Sequence, residues 1–183
     1  MARIVSNFFI ALDGVVEAPN EWHFPYFDDD MGRVMGQGMA TQTGFLMGRR
    51  LYDEWSEYWP GQADDVPFAS HINNIPKYVV THRPIEGELW KNTTVLADDP
   101  VAQVRALKES TDGDIAMSGC ATTVRWLLAN DLLDELALLV HPIAVGKGQR
   151  LFEDIPTVPL TLLSSEALSS GFLFLRYAPA GAL

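Results

Sequence analysis

The chain has little cysteine and little positive charge, and both shortages narrow its possible functions. Its 183 residues include a single cysteine, Cys120, which excludes an intramolecular disulfide framework and, with no export signal, favours the cytoplasm. Thirteen lysines and arginines stand against 24 acidic residues, a net charge of −11 that argues against a nucleic-acid-binding surface. An anionic ligand would therefore require the few basic residues to be concentrated at one place.

Long apolar runs are also missing. No stretch reaches the roughly 18 to 20 residues that a membrane span needs. Residues 1–14 are apolar enough to resemble a signal peptide, but they lack a small-residue cleavage site and end in Asp13-Gly14, so we predict a first strand. With 48% hydrophobic and 10% aromatic residues, the sequence predicts a single globular domain over residues 1–183, a cytoplasmic location and no membrane partner.

Strand-like and helix-like segments alternate along the chain. Separation of the early strands by helices favours parallel pairing, and the two last strands, around Ser169-Ser170-Gly171, predict an antiparallel hairpin. The predicted fold is therefore α/β, with a central, mixed, mainly parallel sheet flanked by helices and closed by a C-terminal hairpin. The predicted strands are 4–12, 44–48, 77–81, 93–97, 114–118, 133–140, 160–168 and 171–179, and the predicted helices are 31–41, 49–59, 99–110 and 122–131.

The stretch "DIAMSGCATTVRWLL" passes from a strand to a helix through small residues. A helix start exposes unpaired N–H groups and partial positive charge, and small side chains let a phosphate approach them. The stretch thus predicts a pyrophosphate cradle, although a tight turn that needs glycine for conformational reasons remains an alternative. The residues of this candidate cradle are Gly119, Cys120, Ala121 and Thr122.

Two further junctions carry basic residues. In "GFLMGRRLYDEW" a strand ends at Gly48, and Arg49 and Arg50 open a helix, where arginine is electrostatically unfavourable unless an anion compensates it. A solvated basic pair is the alternative interpretation.

The other basic junction is "VVTHRP". The carboxyl end of a strand in an α/β sheet is where ligands usually bind, and here that end bears Thr81, His82 and Arg83. A loop stopped by proline is the alternative. Parallel strands would place a cluster of basic residues on one edge of the sheet, as a ligand with several phosphates requires. Its members are Arg49, Arg50, His82, Arg83 and, through a later glycine loop, Lys147.

Several other chemistries are excluded by spacing. "GKG" at residues 146–148 lacks the upstream glycine and the following Ser or Thr of an NTPase phosphate loop, and Gly36-Gln37-Gly38 is not a Rossmann fingerprint. The His-x-Glu and Cys-x-x-Cys motifs of a zinc deaminase are absent. The run Asp28–Asp30 more simply caps the next helix than binds a metal. Cys120 has no evident base near it in the sequence to make it a nucleophile.

A carboxylate and an aromatic loop follow the first strand. Asp13 can face the sheet edge and orient a nitrogen heterocycle or relay a proton, or it can simply form an Asp-Gly turn. The aromatic residues of 22–27, beginning with Trp22, could stack on a planar substrate or cover the core. We take Asp13 as the candidate catalytic residue and Trp22 and Lys147 as candidate substrate contacts.

The blocks "FIALDGVVEAP", "FLMGRRLYDEW", "KYVVTHRP", "MSGCATTVRWLLANDLLDELALLVHPIAVGKGQRLFED" and "SGFLFLRYAP" resemble the dihydrofolate reductase-like superfamily. The resemblance runs nearly end to end. It is nearest to the reductase domain of the riboflavin-biosynthesis deaminase-reductases and its single-domain relatives. It implies a mixed sheet flanked by helices and an NADPH site, with the cofactor supplying the hydride and the protein supplying position and electrostatics.

The resemblance also implies roles for particular residues. The adenosine phosphates would be held by Gly48, Arg49, Arg50, Thr81 and Arg83, and the pyrophosphate by Gly119 to Thr122. The implied activity is that of a 5-amino-6-(5-phosphoribosylamino)uracil reductase, an oxidoreductase of riboflavin biosynthesis, and a homodimer is implied as well.

Two departures from the riboflavin-type pattern leave other functions open. Val15 stands where a lysine usually follows Asp-Gly, and Met117-Ser118-Gly119 stands where Glu-Gly-Gly is usual. The alternatives are a non-catalytic nucleotide- or flavin-binding module, a dihydrofolate reductase-type activity on a pterin, and an interaction protein with an acidic surface.

Overall fold

One eight-stranded sheet forms the centre of the computed structural model, which describes residues 1–63 and 65–181. The strand order is β4-β3-β2-β5-β1-β6-β8-β7. Strands β1 to β6 pair in parallel, whereas β8 is antiparallel to β6 and to β7. The predicted fold class, a mixed and mainly parallel sheet with a C-terminal antiparallel hairpin, is confirmed. The strands are β1 Arg3–Ala11, β2 Gln42–Gly48, β3 Lys77–Val80, β4 Thr93–Leu96, β5 Asp114–Ser118, β6 Glu135–His141, β7 Leu160–Ala167 and β8 Leu173–Pro179.

Helices cover both faces of the sheet. They are α1 Asp29–Thr41, α2 Arg49–Tyr58, α3 Pro67–Asn74, α4 Pro100–Ser110 and α5 Ala121–Ala129. Two begin at aspartate caps: Asp28 accepts a hydrogen bond from the Met31 amide at 2.9 Å, and Asp99 accepts one from the Ala102 amide at 3.1 Å. The capping role that the sequence predicted for the run Asp28–Asp30 is what the structure shows at Asp28.

Helix α3 was not predicted from the sequence, and a buried lysine explains how it ends. The ammonium group of Lys77 donates hydrogen bonds to the carbonyls of Ile72 and Ile75, both at 2.9 Å, and lies 4.5 Å from the centre of the Trp90 ring. Burial lowers the pKa of Lys77 to about 8. The side chain that caps the end of α3 therefore comes from the following strand, whereas Pro67 at the start of the helix is a local signal.

Alternation along β1 shows how the core is divided. Ile4, Phe8 and Ile10 point to the face covered by α4 and α5, while Phe9 points to the opposite face, where it packs near Met31 of α1. Helices α2 and α3 cover that second face over β2 and β3. Both faces of the central strands are therefore buried, as expected for parallel strands joined by helical crossovers.

The strand order decides which loops become neighbours. The carboxyl ends of β3, β2, β5, β1 and β6 follow one another along a single edge of the sheet. The loops beginning at residues 81, 49, 119, 12 and 142 therefore lie along that edge. Within the described ranges, no helix is both long enough and apolar enough to cross a bilayer.

Candidate active site

A cleft of about 250 Å³ opens where β2 and β5 end. The structure brings six of the predicted cofactor residues into it and adds others that the sequence did not suggest. The lining residues are Gly48, Arg49, Arg50, Leu51, Glu54, Val80, Gly119, Cys120, Thr122, Thr123 and Gln149.

The floor of the cleft is shaped by two glycines. A Cβ atom on Gly48 would lie 2.5 Å from Thr123 Oγ1 and 3.0 Å from Cys120 Sγ, so a larger residue would require these side chains at the start of α5 to move. Gly119 has a φ of +71°, a conformation that glycine adopts without strain, and a Cβ there would lie 3.0 Å from Leu51. The two helix starts therefore approach each other because both glycines lack side chains.

The start of α5 presents backbone donors to the cleft. Cys120 is the N-cap residue, and its side chain does not cap the first-turn amides; instead its sulfur accepts a hydrogen bond from Thr123 Oγ1 at 2.9 Å. Ala121 points its methyl group into the core, so it can contribute to a ligand site only through its backbone. The uncapped N–H groups and the positive end of the helix dipole suit an anion.

Arg49 is held by the protein itself. Its Nε lies 2.7 Å and 3.0 Å from the two carboxylate oxygens of Asp53, and its Nη1 donates to the carbonyl of Pro84 at 2.6 Å and to that of Arg83 at 3.3 Å. The guanidinium group thus ties α2 to the loop after β3. An arginine at a helix start is unfavourable unless a negative charge lies nearby. The carboxylate of Asp53, one turn later, supplies part of that negative charge.

Arg50 is much less constrained. Its side chain is 71% exposed, and it donates from Nε to Glu54 Oε1 at 3.2 Å, with Glu54 itself 58% exposed. Both side chains line the cleft. Sequence reasoning missed Glu54, although its position four residues after Arg50 on one helix face would have indicated the pair.

The segment after β3 borders the cleft without filling it. Thr81 is buried, and its hydroxyl accepts a hydrogen bond from the Arg83 amide at 3.0 Å and donates to the Arg83 carbonyl at 2.9 Å. His82 and Arg83 are exposed. Val80 is the residue of β3 that lines the cleft. The hydroxyl of Thr81 instead shapes the turn after the strand. Any contact of Arg83 with a ligand must therefore come from its exposed side chain.

A glycine loop reaches the cleft from the other side. Asp13 Oδ2 accepts a hydrogen bond from the Gly146 amide at 2.6 Å, and Glu17 Oε2 accepts one from the Gln149 amide at 2.8 Å. These bonds dock residues 146–150 on the loop after β1 and bring Gln149 to the cleft. Lys147 is exposed and is not among the cleft residues, so its predicted substrate contact stays a prediction.

Asp13 is an ionised acceptor. The hydrogen bond from the Gly146 amide is the main reason that its pKa lies below the usual value for aspartate. Its other oxygen, Oδ1, is buried and has no hydrogen-bond partner among the described residues. A carboxylate of this kind can accept a hydrogen bond from a ligand, but it carries no proton to donate near neutral pH.

The aromatic loop turns its largest ring inward. Trp22 is 8% exposed, donates its indole N–H to the Glu17 carbonyl at 3.1 Å, and packs edge-on against His141 with ring centroids 5.0 Å apart. Phe24 and Phe27, by contrast, are 63% and 50% exposed. The substrate contact predicted for Trp22 stays a prediction, and the aromatic surface that solvent can reach is that of the two phenylalanines.

Two neutral histidines lie under this loop. His23 stacks on Phe9, with ring centroids 4.6 Å apart, and contacts Phe24 at 4.2 Å. His141 is fully buried, with Nδ1 placed 2.9 Å from the Leu139 carbonyl. Burial lowers the pKa of both histidines below the usual value, so both rings are uncharged near neutral pH. In the described part of the chain, no group of three potential ligands could hold a metal ion.

The model of the RibD C-terminal domain matches residues 2–174. The chain belongs to the RibD C-terminal domain family. Membership in this family supports a reductase-type function, as the sequence blocks implied.

Individual relatives of this RibD C-terminal domain agree in length and fold. The uncharacterised protein YyaP of Bacillus subtilis is 27% identical over 180 residues, which cover 96% of this chain and 94% of YyaP. A putative riboflavin biosynthesis protein from Shewanella sp. PV-4 superposes with a TM-score of 0.76 at 20% identity, covering 98% of this chain and 99% of the other.

Two more distant structures share the fold with the RibD C-terminal domain. The deaminase/5-amino-6-(5-phosphoribosylamino)uracil reductase of Thermotoga maritima matches with a TM-score of 0.68 at 14% identity, over 98% of this chain and 57% of the other. Dihydrofolate reductase of Enterococcus faecalis, complexed with NADP(H), matches with a TM-score of 0.62 at 13% identity, over 97% and 96%. The architecture is therefore dihydrofolate reductase-like.

Proposed function

We propose that this RibD C-terminal domain is an NADPH-dependent reductase that transfers hydride to a small heterocyclic substrate. The observation that carries the proposal is the cleft at the ends of β2 and β5, where Gly48 and Gly119 let two helix starts come together beside Arg50. A closely spaced pair of helix starts with a neighbouring guanidinium group suits a dinucleotide, which carries several phosphates.

Different residues are proposed to bind different parts of the cofactor. The first-turn amides of α5, from Ala121 and Thr122, would receive the pyrophosphate, and the exposed guanidinium groups of Arg50 and Arg83 would receive the adenosine phosphate. Arg49, engaged by Asp53 and two backbone carbonyls, positions the loop that carries Arg83. The bound cofactor supplies the hydride, and the protein supplies orientation.

The substrate side is proposed to lie toward the ends of β1 and β6. The carboxylate of Asp13, which is ionised and only partly buried, would accept a hydrogen bond from a ring nitrogen of a heterocycle. Phe24 and Phe27 offer exposed aromatic faces for a planar ring. The riboflavin-type substrate, a ribosylaminopyrimidine phosphate, fits this chemistry, but Val15 is buried and replaces the lysine that riboflavin-type reductases usually carry.

The cofactor can be tested without knowing the substrate. Titration with NADPH should enhance nicotinamide fluorescence, and saturation should slow the reaction of Cys120 with a thiol reagent, because this single cysteine lines the cleft. Absence of both effects at about millimolar NADPH, an affinity of only roughly −4 kcal/mol, would contradict the proposal. The urea-unfolded chain, in which the thiol is fully open, is the reference for the reaction rate.

A charge reversal at Arg83 tests the assignment of the adenosine phosphate. Arg83→Glu should weaken NADPH roughly tenfold and NADH much less, because the two cofactors differ by the 2′-phosphate. Equal losses for both would show that Arg83 does not meet that phosphate.

Catalysis is tested separately from binding. We expect oxidation of NADPH with at least one member of a panel of aminopyrimidines, pterins and quinones. Binding of NADPH with no turnover across the panel would favour the alternative function, a non-catalytic nucleotide-binding module. Turnover of a pterin alone would favour a dihydrofolate reductase-type activity.

The predicted homodimer and cytoplasmic location remain proposals. The outer strand β7 exposes Leu162 and Leu163, which favours a partner at that edge of the sheet. Sedimentation equilibrium should give a mass near twice the 20.3 kDa of the chain. A species of single-chain mass at high concentration would count against the dimer.

A further inference from the structure

The cofactor cleft contains a carboxylate as well as guanidinium groups. Glu54 lines it together with Arg50 and lies one helical turn away from that arginine. A negative charge in a site proposed for phosphates is unfavourable unless it meets a different part of the ligand. The position of Glu54 therefore needs an explanation.

Helix stability does not supply that explanation. An exposed ion pair four residues apart contributes only about 0.3–0.5 kcal/mol, and the order found here, with the cation nearer the helix N-terminus, opposes the helix dipole. The single Nε contact of 3.2 Å is also longer than the Arg49–Asp53 contact of 2.7 Å. Arg50 can leave Glu54 at little cost when an anion enters the cleft.

We propose that Glu54 sets the choice between the two nicotinamide dinucleotides, by accepting a hydrogen bond from the adenosine ribose of NADH and by opposing the 2′-phosphate of NADPH. This inference rests on the proposed function. A carboxylate is a good acceptor for the ribose 2′-hydroxyl, whereas a guanidinium group suits a 2′-phosphate. The cleft holds one exposed group of each kind, so the protein accepts NADH in addition to NADPH.

The test compares Glu54→Gln with Glu57→Gln. Glu57 lies on the same helix, is exposed and is not among the cleft residues, so its substitution changes the charge equally without touching the ligand. Affinities for NADPH and NADH are measured for each variant and for the unaltered protein, by nicotinamide fluorescence and by protection of Cys120.

The expected result is a shift of preference in one variant only. Glu54→Gln should raise the ratio of NADPH to NADH affinity by roughly tenfold, through tighter NADPH and weaker NADH, which corresponds to about 1.4 kcal/mol. Glu57→Gln should change the ratio by less than about twofold, because Glu57 does not line the cleft and would make no hydrogen bond to the ribose.

Each other outcome overturns a particular claim. If the unaltered protein binds dinucleotides and Glu54→Gln leaves the ratio unchanged, or if both variants shift it equally, the role of Glu54 is wrong while the proposed function stands. If the unaltered protein binds neither dinucleotide, the proposed function fails and the inference fails with it.

Discussion

The two halves of the sheet edge that is proposed to bind ligands are lined by different chemical groups. At the ends of β3, β2 and β5, glycines, backbone amides and arginines border an open cleft. At the ends of β1 and β6, aromatic rings and two uncharged histidines pack under a loop, with Trp22 and His141 almost fully covered.

The difference indicates what each half can recognise. The cleft offers backbone donors at positions fixed by close packing, together with the exposed guanidinium group of Arg50, which suits a charged ligand. The aromatic half offers apolar surface. It also contains the Oδ1 atom of Asp13, which has no hydrogen-bond partner within residues 1–63 and 65–181.

The largest expected effect is on the aromatic half. Trp22→Ala should lower the free energy of unfolding by about 3–5 kcal/mol, because it leaves a cavity against His141, while NADPH affinity changes little. Urea unfolding and NADPH titration of the same sample check both parts. Trp22→Phe, which keeps most of the packing, serves as the control; an unchanged unfolding energy in both variants would mean that the ring does not support the loop.

The next prediction concerns the cleft. Gly48→Ala should weaken NADPH at least tenfold and cost about 1–3 kcal/mol of stability, because the added methyl group meets Thr123 Oγ1 at 2.5 Å. The measurements are again NADPH titration and urea unfolding.

The same substitution at Gly36 is the matched control. This helical glycine has open space around it, so Gly36→Ala should stabilise the protein by roughly 0.5–1 kcal/mol and leave NADPH binding unchanged. If Gly36→Ala lost affinity for NADPH, or if Gly48→Ala kept its full affinity, the predicted difference between the cleft and the rest of the chain would be wrong.

Asp13 lies between the two halves, and two substitutions distinguish a positioning role from a proton-relay role. If it positions the glycine loop, Asp13→Ala should speed hydrogen exchange at the Gly146 amide and weaken binding, whereas Asp13→Asn should retain much of both, because an amide oxygen still accepts the hydrogen bond. Exchange measured by NMR distinguishes the variants. Equal and complete loss of turnover in both, with exchange unaffected, would instead point to a proton-relay role.

The smallest expected effect is a change in pH dependence. The pKa of His23 is lowered in the folded chain, so the unfolded chain binds more protons below its ordinary pKa of about 6.5, and stability should fall as the pH drops from about 7 to about 5. His23→Phe, which preserves stacking on Phe9, should make that fall shallower. His141 and His71 retain their own dependence, since burial lowers their pKa values as well. An unchanged slope in His23→Phe would show that His23 binds protons equally in the folded and the unfolded chain.

Local sequence signals predicted most of the secondary structure. The aspartate caps, the proline that opens α4 and the apolar strands identify elements because these features act within a few residues of one another. Helix α3 was missed although Pro67 at its start is a local signal; only the cap at its other end, from Lys77 of the following strand, is not visible in the residues of the helix. The glycine junctions at Gly48 and Gly119 were also visible, because small residues between a strand and a helix leave few alternatives.

Other parts of the site depended on contacts distant in sequence. The structure packs the indole of Trp22 against His141, a residue 119 positions later, and only such a contact determines whether a ring faces solvent. Gln149 reaches the cleft because Asp13 and Glu17 hold its loop. Neither interaction leaves a periodic pattern in the chain.

The sequence by itself determined the alternation of strands and helices, the small-residue turns and the scarcity of positive charge, because side-chain periodicity, capping and composition are local or additive properties. The tertiary structure alone decided that β2 lies beside β5 and β5 beside β1, and therefore that Gly48, Glu54 and Gly119 face one cleft. The physical reason is that strand neighbours are chosen by the packing of both faces of the sheet against its helices, a choice that involves the whole chain at once.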